Sequence, residues 1–278
     1  MADQADRPVP ATGPRTGAPA IGVSIRGARF SYRQHPLFED LTADFEAGRT
    51  TCLLGPSGAG KSSLLRLIAG LARADAGTVT GSDGRPLAGR IAYMDQRDLL
   101  LPWKSVLGNV TLGSRLRGEG PDLARASQLL AAVGLERKAP SLPAVLSGGQ
   151  RQRAALARTL MEDRPVVLMD EPFSALDAIT RHRIQALAAG LLEGRTVVLV
   201  THDPFEALRL GHRVHVMASQ PAHLGTALDL PGDPPRDPTD SILNRLHHRL
   251  LEELAAADDE APAAANAATS GAEVRPSP

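Results

Sequence analysis

An eight-residue run, Gly55-Pro-Ser-Gly-Ala-Gly-Lys61-Ser62, stands between an apolar strand-like stretch, Thr50–Leu54, and a helical pattern, Ser62–Gly70. It satisfies the pattern GxxxxGK[ST] in full and in the context that gives the pattern meaning, a strand before and a helix after. Glycines at 58 and 60 let the backbone curl so that its N–H groups point inward at an anion, and the helix that follows adds its positive end. Lys61 is placed to reach terminal phosphates and the Ser62 hydroxyl to ligate Mg²⁺. The candidate phosphate-binding residues are therefore Gly55, Pro56, Ser57, Gly58, Ala59, Gly60, Lys61, Ser62 and Ser63. By itself the loop leaves several classes of nucleotide-handling protein open.

The stretches around it select a layered α/β fold. Strand patterns at Val23–Tyr32, Leu41–Phe45, Thr50–Leu54, Thr78–Thr80 and Ile91–Met94 precede a stretch dominated by helices, Val106–Leu116, Asp122–Val133 and Gly149–Met161. Strands and helices then alternate: Val166–Met169, Ile179–Leu192, Thr196–Val200, Pro204–Leu210 and Val214–Met217, with a last amphipathic helix at Thr239–Leu254. Such alternation implies a parallel sheet flanked by helices. The expected organisation is a disordered tail over 1–20, a core from 21–96 and 160–218, a helical subdomain inserted at 97–159, an extension with a helix over 219–257, and a second tail over 258–278.

Composition narrows the classes of function. Lys plus Arg and Asp plus Glu both number 31, so no global basic field recommends a nucleic-acid partner. The one cysteine, Cys52, excludes a disulfide framework within the chain and sits in an apolar strand, as a small core residue does. No stretch approaches the ~18 consecutive apolar residues of a membrane-spanning helix. A membrane role would need a partner that spans.

A second anion-binding helix start lies far along the chain. In Leu146-Ser147-Gly148-Gly149-Gln150-Arg151-Gln152-Arg153 a helix-capping serine and two glycines precede a helix. Two such starts in one chain suggest that one of them serves a neighbour's nucleotide. The strand Val166–Met169 ends in two carboxylates, Asp170 and Glu171, at the sheet edge where phosphates collect. Asp170 is suited to hold Mg²⁺, and Glu171 to orient or deprotonate an attacking water. His202 follows the strand Thr196–Val200, and Gln96 follows the strand Ile91–Met94.

Taken together and in this order, these motifs resemble the ABC ATPase family over about residues 22–218. The resemblance implies a P-loop NTPase core, a parallel sheet with flanking helices plus an antiparallel β subdomain, with an inserted helical subdomain. It implies that Ser147, Gly148, Gly149 and Gln150 face the γ-phosphate of ATP bound to the partner's Lys61 loop. It further implies that Ser174, Ala175, Leu176 and Asp177 cross the dimer interface, that His202 and Gln96 join Glu171 in catalysis, and that Gln96 joins Ser62 and Asp170 at Mg²⁺. Tyr32, 23 residues before Gly55 (55 − 32), stands where the family stacks an aromatic on adenine; it is equally placed to close a strand against the core.

The stretch Met94–Trp103, with its Leu-Leu-Pro-Trp run, is similar to bacterial importers for nitrate, sulfonates, taurine and thiamine-precursor pyrimidines. Its wording, together with Gly113–Gly118, most resembles the hydroxymethylpyrimidine type. Exporter and soluble non-transport ABC ATPases are the alternatives. Neither a duplicated cassette nor a long coiled coil is present to favour the last. Trp103, the one tryptophan, either contacts a permease or fills the helical subdomain's core. The implied partners are a second copy, transmembrane permease subunits and, indirectly, a solute-binding protein, without nucleic acid. The implied place is the cytoplasmic face of the inner membrane, as a peripheral subunit.

Overall fold

The computed structural model describes residues 20–32, 35–218 and 221–259, so the two expected tails lie almost wholly outside the described residues. The chain opens with β1 (Val23–Tyr32), β2 (His35–Phe45) and β3 (Thr50–Leu54), followed by α1 (Lys61–Ile68), β4 (Ala76–Gly81) and β5 (Ile91–Met94). Four helices come next: α2 (Val106–Val110), α3 (Leu112–Leu116), α4 (Leu123–Ala132) and α5 (Gly148–Met161). Then follow β6 (Val166–Asp170), α6 (Ala178–Leu192), β7 (Thr196–Val200), α7 (Pro204–Leu210), β8 (Arg213–Ala218), β9 (His223–Leu224), β10 (Leu228–Asp229) and α8 (Ser241–Asp259).

The strands build two sheets. β2, β1 and β4 form an antiparallel sheet in that order. The larger sheet runs β10-β8-β3-β7-β6-β5, and the five strands from β8 to β5 are parallel. Strands covered on both faces read as unbroken apolar runs, and β3, β6 and β7 do. Alternate residues then point to opposite sides. Cys52, Leu54, Val167, Met169, Val197 and Leu199 enter one core, shared with α2 and α4 to α8. Leu53, Val166, Leu168, Val198 and Val200 enter the other, shared with α1 and the antiparallel sheet. The expected combination of a parallel sheet, an antiparallel companion and an inserted helical block is therefore present.

Parallel pairing also fixes where the loops meet. Asp170 pairs with Val200, and Val200 with Leu53, so β3, β6 and β7 end together at one edge. Three elements differ most from their expected extents. The helix expected over Val106–Leu116 breaks at Thr111, whose hydroxyl donates back to Leu107 O at 2.9 Å and competes with the helical ladder. β2 begins at His35 rather than Leu41, because it pairs with β1 up to Tyr32 despite irregular register. α8 continues past Leu254 to Asp259, with an Arg249–Glu253 pair one turn apart at 2.9 Å, and rests on α7 and β8 of its own chain. It begins after a segment fastened by Arg236, whose buried guanidinium donates to Leu208 O and Gly211 O at the end of α7 and to Pro231 O and Gly232 O.

Candidate active site

The loop between β3 and α1 takes backbone shapes that its glycines permit. Gly55 has φ 147°, and a Cβ there would lie 2.3 Å from Met217 O. Gly58 has φ 87° with nothing within 4 Å of where a Cβ would project, so the loop's crest stays open to an approaching group. Pro56 O accepts the Ala59 N–H at 3.3 Å, and Gly60 is the N-cap of α1. Ser57 is exposed, Ala59 is buried, and Ser62 and Ser63 lie half-buried in the first turn of the helix.

Lys61 is buried, and its Nζ donates to Gly55 O and Pro56 O, both at 2.7 Å. Burial lowers its pKa, while the nearby Glu171 and Asp170 charges work against that shift. A phosphate in the loop would give this ammonium a counter-charge in direct contact, where its hydrogen bonds go to carbonyl oxygens.

Asp170, the last residue of β6, is 2% exposed and accepts a hydrogen bond from the Ser62 hydroxyl. Burial pushes its carboxyl above the usual range, the Ser62 bond pulls it down, and Glu171 adds to the rise. The chain turns sharply after it. Glu171 adopts φ 48°, a left-handed conformation that costs a side-chain-bearing residue on the order of 1 kcal/mol. Its N–H is held by Val200 O at 2.9 Å.

That turn aims the Glu171 carboxylate between two neighbours. Gln96 Nε2 donates to Oε2 at 3.3 Å, and His202 Nδ1 lies 3.3 Å from Oε1. Residues following β5, β6 and β7 thus converge on a single carboxylate. Held by an amide on one oxygen and an imidazole on the other, it has the placement of a base that orients water.

Gln152, to which no role was given from sequence, ties this centre to the helical block. From inside α5 its Nε2 donates to Glu171 O at 2.9 Å and to Ser174 Oγ at 3.2 Å, and its Oε1 accepts Ala175 N–H at 2.8 Å. Its position three residues into the helix after Gly149 puts it on the inner face, the one signal that could have found it. Ser174 Oγ also donates to Glu171 O at 3.1 Å, Leu176 is buried, and Asp177 caps α6 by accepting Thr180 N–H at 3.0 Å.

At the start of α5, Ser147 and Gln150 form a reciprocal cap: Gln150 N–H donates to Ser147 Oγ and Ser147 N–H to Gln150 Oε1. Gly148 faces open space, whereas a Cβ on Gly149 would meet Ala175 O at 3.0 Å. No hydrogen bond among the described residues joins 147–150 to 55–63 of the same chain. The loop after Gln96 is fastened to α5 instead. Arg151 Nε donates to Asp98 Oδ2 at 3.0 Å, and Arg158 donates to Asp98 O and Leu99 O at 2.7 and 2.8 Å. A groove of about 430 Å³ opens between Gln96, Asp98, Gly148, Gln152 and Ala175.

Tyr32 closes β1 opposite His35, and its side chain lies outside the described residues. Trp103 is 72% exposed, so it does not fill the core of the helical block.

The chain resembles known proteins along most of its length. The ABC transporter family model matches residues 38–174. An aliphatic sulfonates import ATP-binding protein of Rhodococcus jostii is 43% identical over 241 residues, covering 86% of this chain and 96% of its own. An uncharacterized ABC transporter ATP-binding protein of Haemophilus influenzae is also 43% identical, covering 84% of this chain and 98% of its own. Among solved structures, a dimeric ATP-binding cassette in a post-hydrolysis state bound to ADP and Pi superimposes with a TM-score of 0.68 at 30% identity, over 76% of this chain and 99% of that one. With both the motif geometry and near-complete coverage of such relatives in hand, the chain belongs to the ABC transporter family, among the ATP-hydrolysing subunits of importers.

Proposed function

We propose that two copies of this chain bind ATP between them and hydrolyse it to drive a permease that imports a small sulfonate-type solute. The observation that carries the reading is the convergence of Gln96 and His202 on the two oxygens of Glu171, beside the buried pair Asp170 and Ser62. In this reading Glu171 accepts the proton of the attacking water. Gln96 and His202 keep its carboxylate turned to that water, and Lys61 with the loop N–H groups holds the phosphates in line. Tyr32 stacks on the adenine.

Asp170, Ser62 and Gln96 offer hard oxygen donors of the kind Mg²⁺ takes. A buried carboxylate whose pKa is raised by desolvation suits a divalent neighbour. Mg²⁺ commonly keeps several waters and is held by one or two protein groups together with substrate phosphates, so these few donors suffice for a cation that arrives with the nucleotide. When bound, it would neutralise charge on the phosphate oxygens.

Ser147 and Gly148 are exposed at the start of α5, and Ile179 just beyond the 174–177 turn is 85% exposed. Both features suit a face completed by a second copy, whose Lys61 loop would carry the nucleotide. No described helix is long and apolar enough to cross a membrane. In this reading the motor works on a separate permease at the inner face of the membrane. Leu99, Trp103 and Leu116, all at least half exposed, supply apolar contact for that permease. A solute-binding protein delivers the cargo from the other side. Domain roles follow the expected division, with 97–159 as the signature-bearing block and 219–257 as an extension that α8 seals.

The sulfonate reading is favoured over a pyrimidine by the relatives, several of which are named for aliphatic sulfonates. The test is recovery of the complex from native membranes, followed by thermal-shift screening of its binding protein against alkylsulfonates, taurine, nitrate and hydroxymethylpyrimidine. Stabilisation by an alkylsulfonate is expected; a response to the pyrimidine alone would overturn the solute. Recovery of the chain with DNA or ribosomes and no membrane protein would overturn import itself.

A further inference from the structure

Behind the turn that carries His202, a second carboxylate is sealed into the core. Glu206, in α7, is 5% exposed. Gln185 Nε2 of α6 donates to its Oε2 at 2.9 Å, and the Thr201 hydroxyl bonds to the same carboxylate. Thr201 Oγ1 in turn accepts the Asp203 N–H at 3.1 Å, so its own hydrogen is the one directed at Glu206. The residues on either side of His202 are thus joined in a chain that ends on Glu206. Asp203 closes it from the other direction, its Oδ1 accepting the N–H groups of Phe205 and Glu206 at 2.9 and 3.3 Å.

The same carboxylate reaches the interface turn. Gln185 belongs to the helix whose N-cap is Asp177, and Arg181 of that helix donates to Leu176 O at 2.9 Å. Arg181 also lies 3.9 Å from the Asp203 carboxylate. A cavity of about 20 Å³, room for one water, touches Glu206, Arg181, His202, Ser174 and Glu171 together.

We propose that Glu206, as a carboxylate, is a positioning residue for His202, holding the Thr201–Asp203 turn at one setting and locking it to the helix behind residues 174–177. The inference rests on the reading of His202 as the partner of Glu171 in hydrolysis. Ionised, Glu206 receives two hydrogen bonds without having to donate one. Protonated, it reverses the Thr201 bond and exchanges charge-assisted bonds for neutral ones about half as strong. The groups facing it are Arg181 from α6, Asp203 from its own turn, His202 and Glu171 across the small cavity, and the Cys52 thiol from β3, which burial holds neutral. Burial pushes the Glu206 carboxyl up to about 7. The Thr201 and Gln185 bonds and the Arg181 charge pull against that rise, and Asp203 adds to it.

The experiment measures kcat and KM for ATP across about pH 6 to 8.5 for the unaltered chain and for Glu206→Gln. The ratio of the two kcat values should be near one at the acid end and roughly tenfold at the alkaline end, with its midpoint near 7 and KM unchanged. A ratio that does not vary with pH, or equal turnover at about pH 8, overturns the proposal. Should Glu206→Gln not fold, Thr201→Val and Thr201→Ser decide: loss of kcat in the first and its return in the second support the chain of bonds, and full activity in Thr201→Val overturns it. His202→Ala separates the two levels. Full turnover there removes the reading of His202 on which the proposal stands. An inactive His202→Ala beside an unaffected Glu206→Gln overturns the proposal alone.

Discussion

Polar side chains withdrawn from water cost stability unless their partners compensate, and residue by residue this molecule shows both outcomes. Arg236 is buried with four carbonyl partners, two of them at the end of α7 where a cation also suits the helix dipole. Glu206 is buried with its carboxyl held near 7, above its ordinary 4.5, so its proton is bound more tightly in the folded chain than in the unfolded one. Stability from this group is therefore full below about pH 4.5 and is lost as pH rises toward 7, beyond which the loss is constant. Glu206→Gln should gain in urea midpoint over the unaltered chain at about pH 8 and not at about pH 5. An equal difference at both would contradict the assignment. Lys61, Asp170, Glu171 and His202 could be singled out beforehand because each stands at or just beyond the end of a short apolar strand, within a recognisable motif. Glu206 was not legible and Gln152 only through its place on the helix face, because a polar residue in a helix looks much the same in sequence whether it faces solvent or a buried partner.

Among the elements, the parallel strands were the most readable and the helical block the least. β3, β6 and β7 are short apolar runs, and their ends matched the expected bounds to within about a residue. In the helical block, Val106–Leu116 has apolar residues at helical spacing, yet it bends at Thr111, a choice made by a side-chain hydroxyl rather than by periodicity. The stretch before it, Leu101–Ser105, holds its irregular path through Asn109. The fully buried Asn109 accepts Leu101 N–H at 2.7 Å and donates to Leu101 O, Lys104 O and Ser105 O at 3.0–3.2 Å. Asn109→Ala would strip Leu101 N–H and Lys104 O of their partner, while Leu101 O and Ser105 O keep the Lys104 and Asn109 backbone N–H groups, and a loss of about 2–3 kcal/mol is expected by chemical denaturation. A change below about 0.5 kcal/mol would show that the loop keeps its shape without Asn109.

At the scale of the molecule, one sheet separates two cores, and its loop edge gathers side chains from β3, β5, β6 and β7. The helical block joins that edge through Gln152, and through Arg151 and Arg158 on the loop after Gln96. In the proposed function these contacts are the route by which a change at the nucleotide would reach the surface that bears Leu99 and Trp103. What a single copy does not bring together is the Lys61 loop and the Ser147 helix start, and the proposal that a second copy does so is the centre of the account. Sedimentation velocity of Glu171→Gln, with and without MgATP, tests it most directly. A monomer without nucleotide, a dimer with it, and loss of that dimer when Ser147→Arg is added are expected. A Glu171→Gln chain that stays monomeric at saturating MgATP would contradict it.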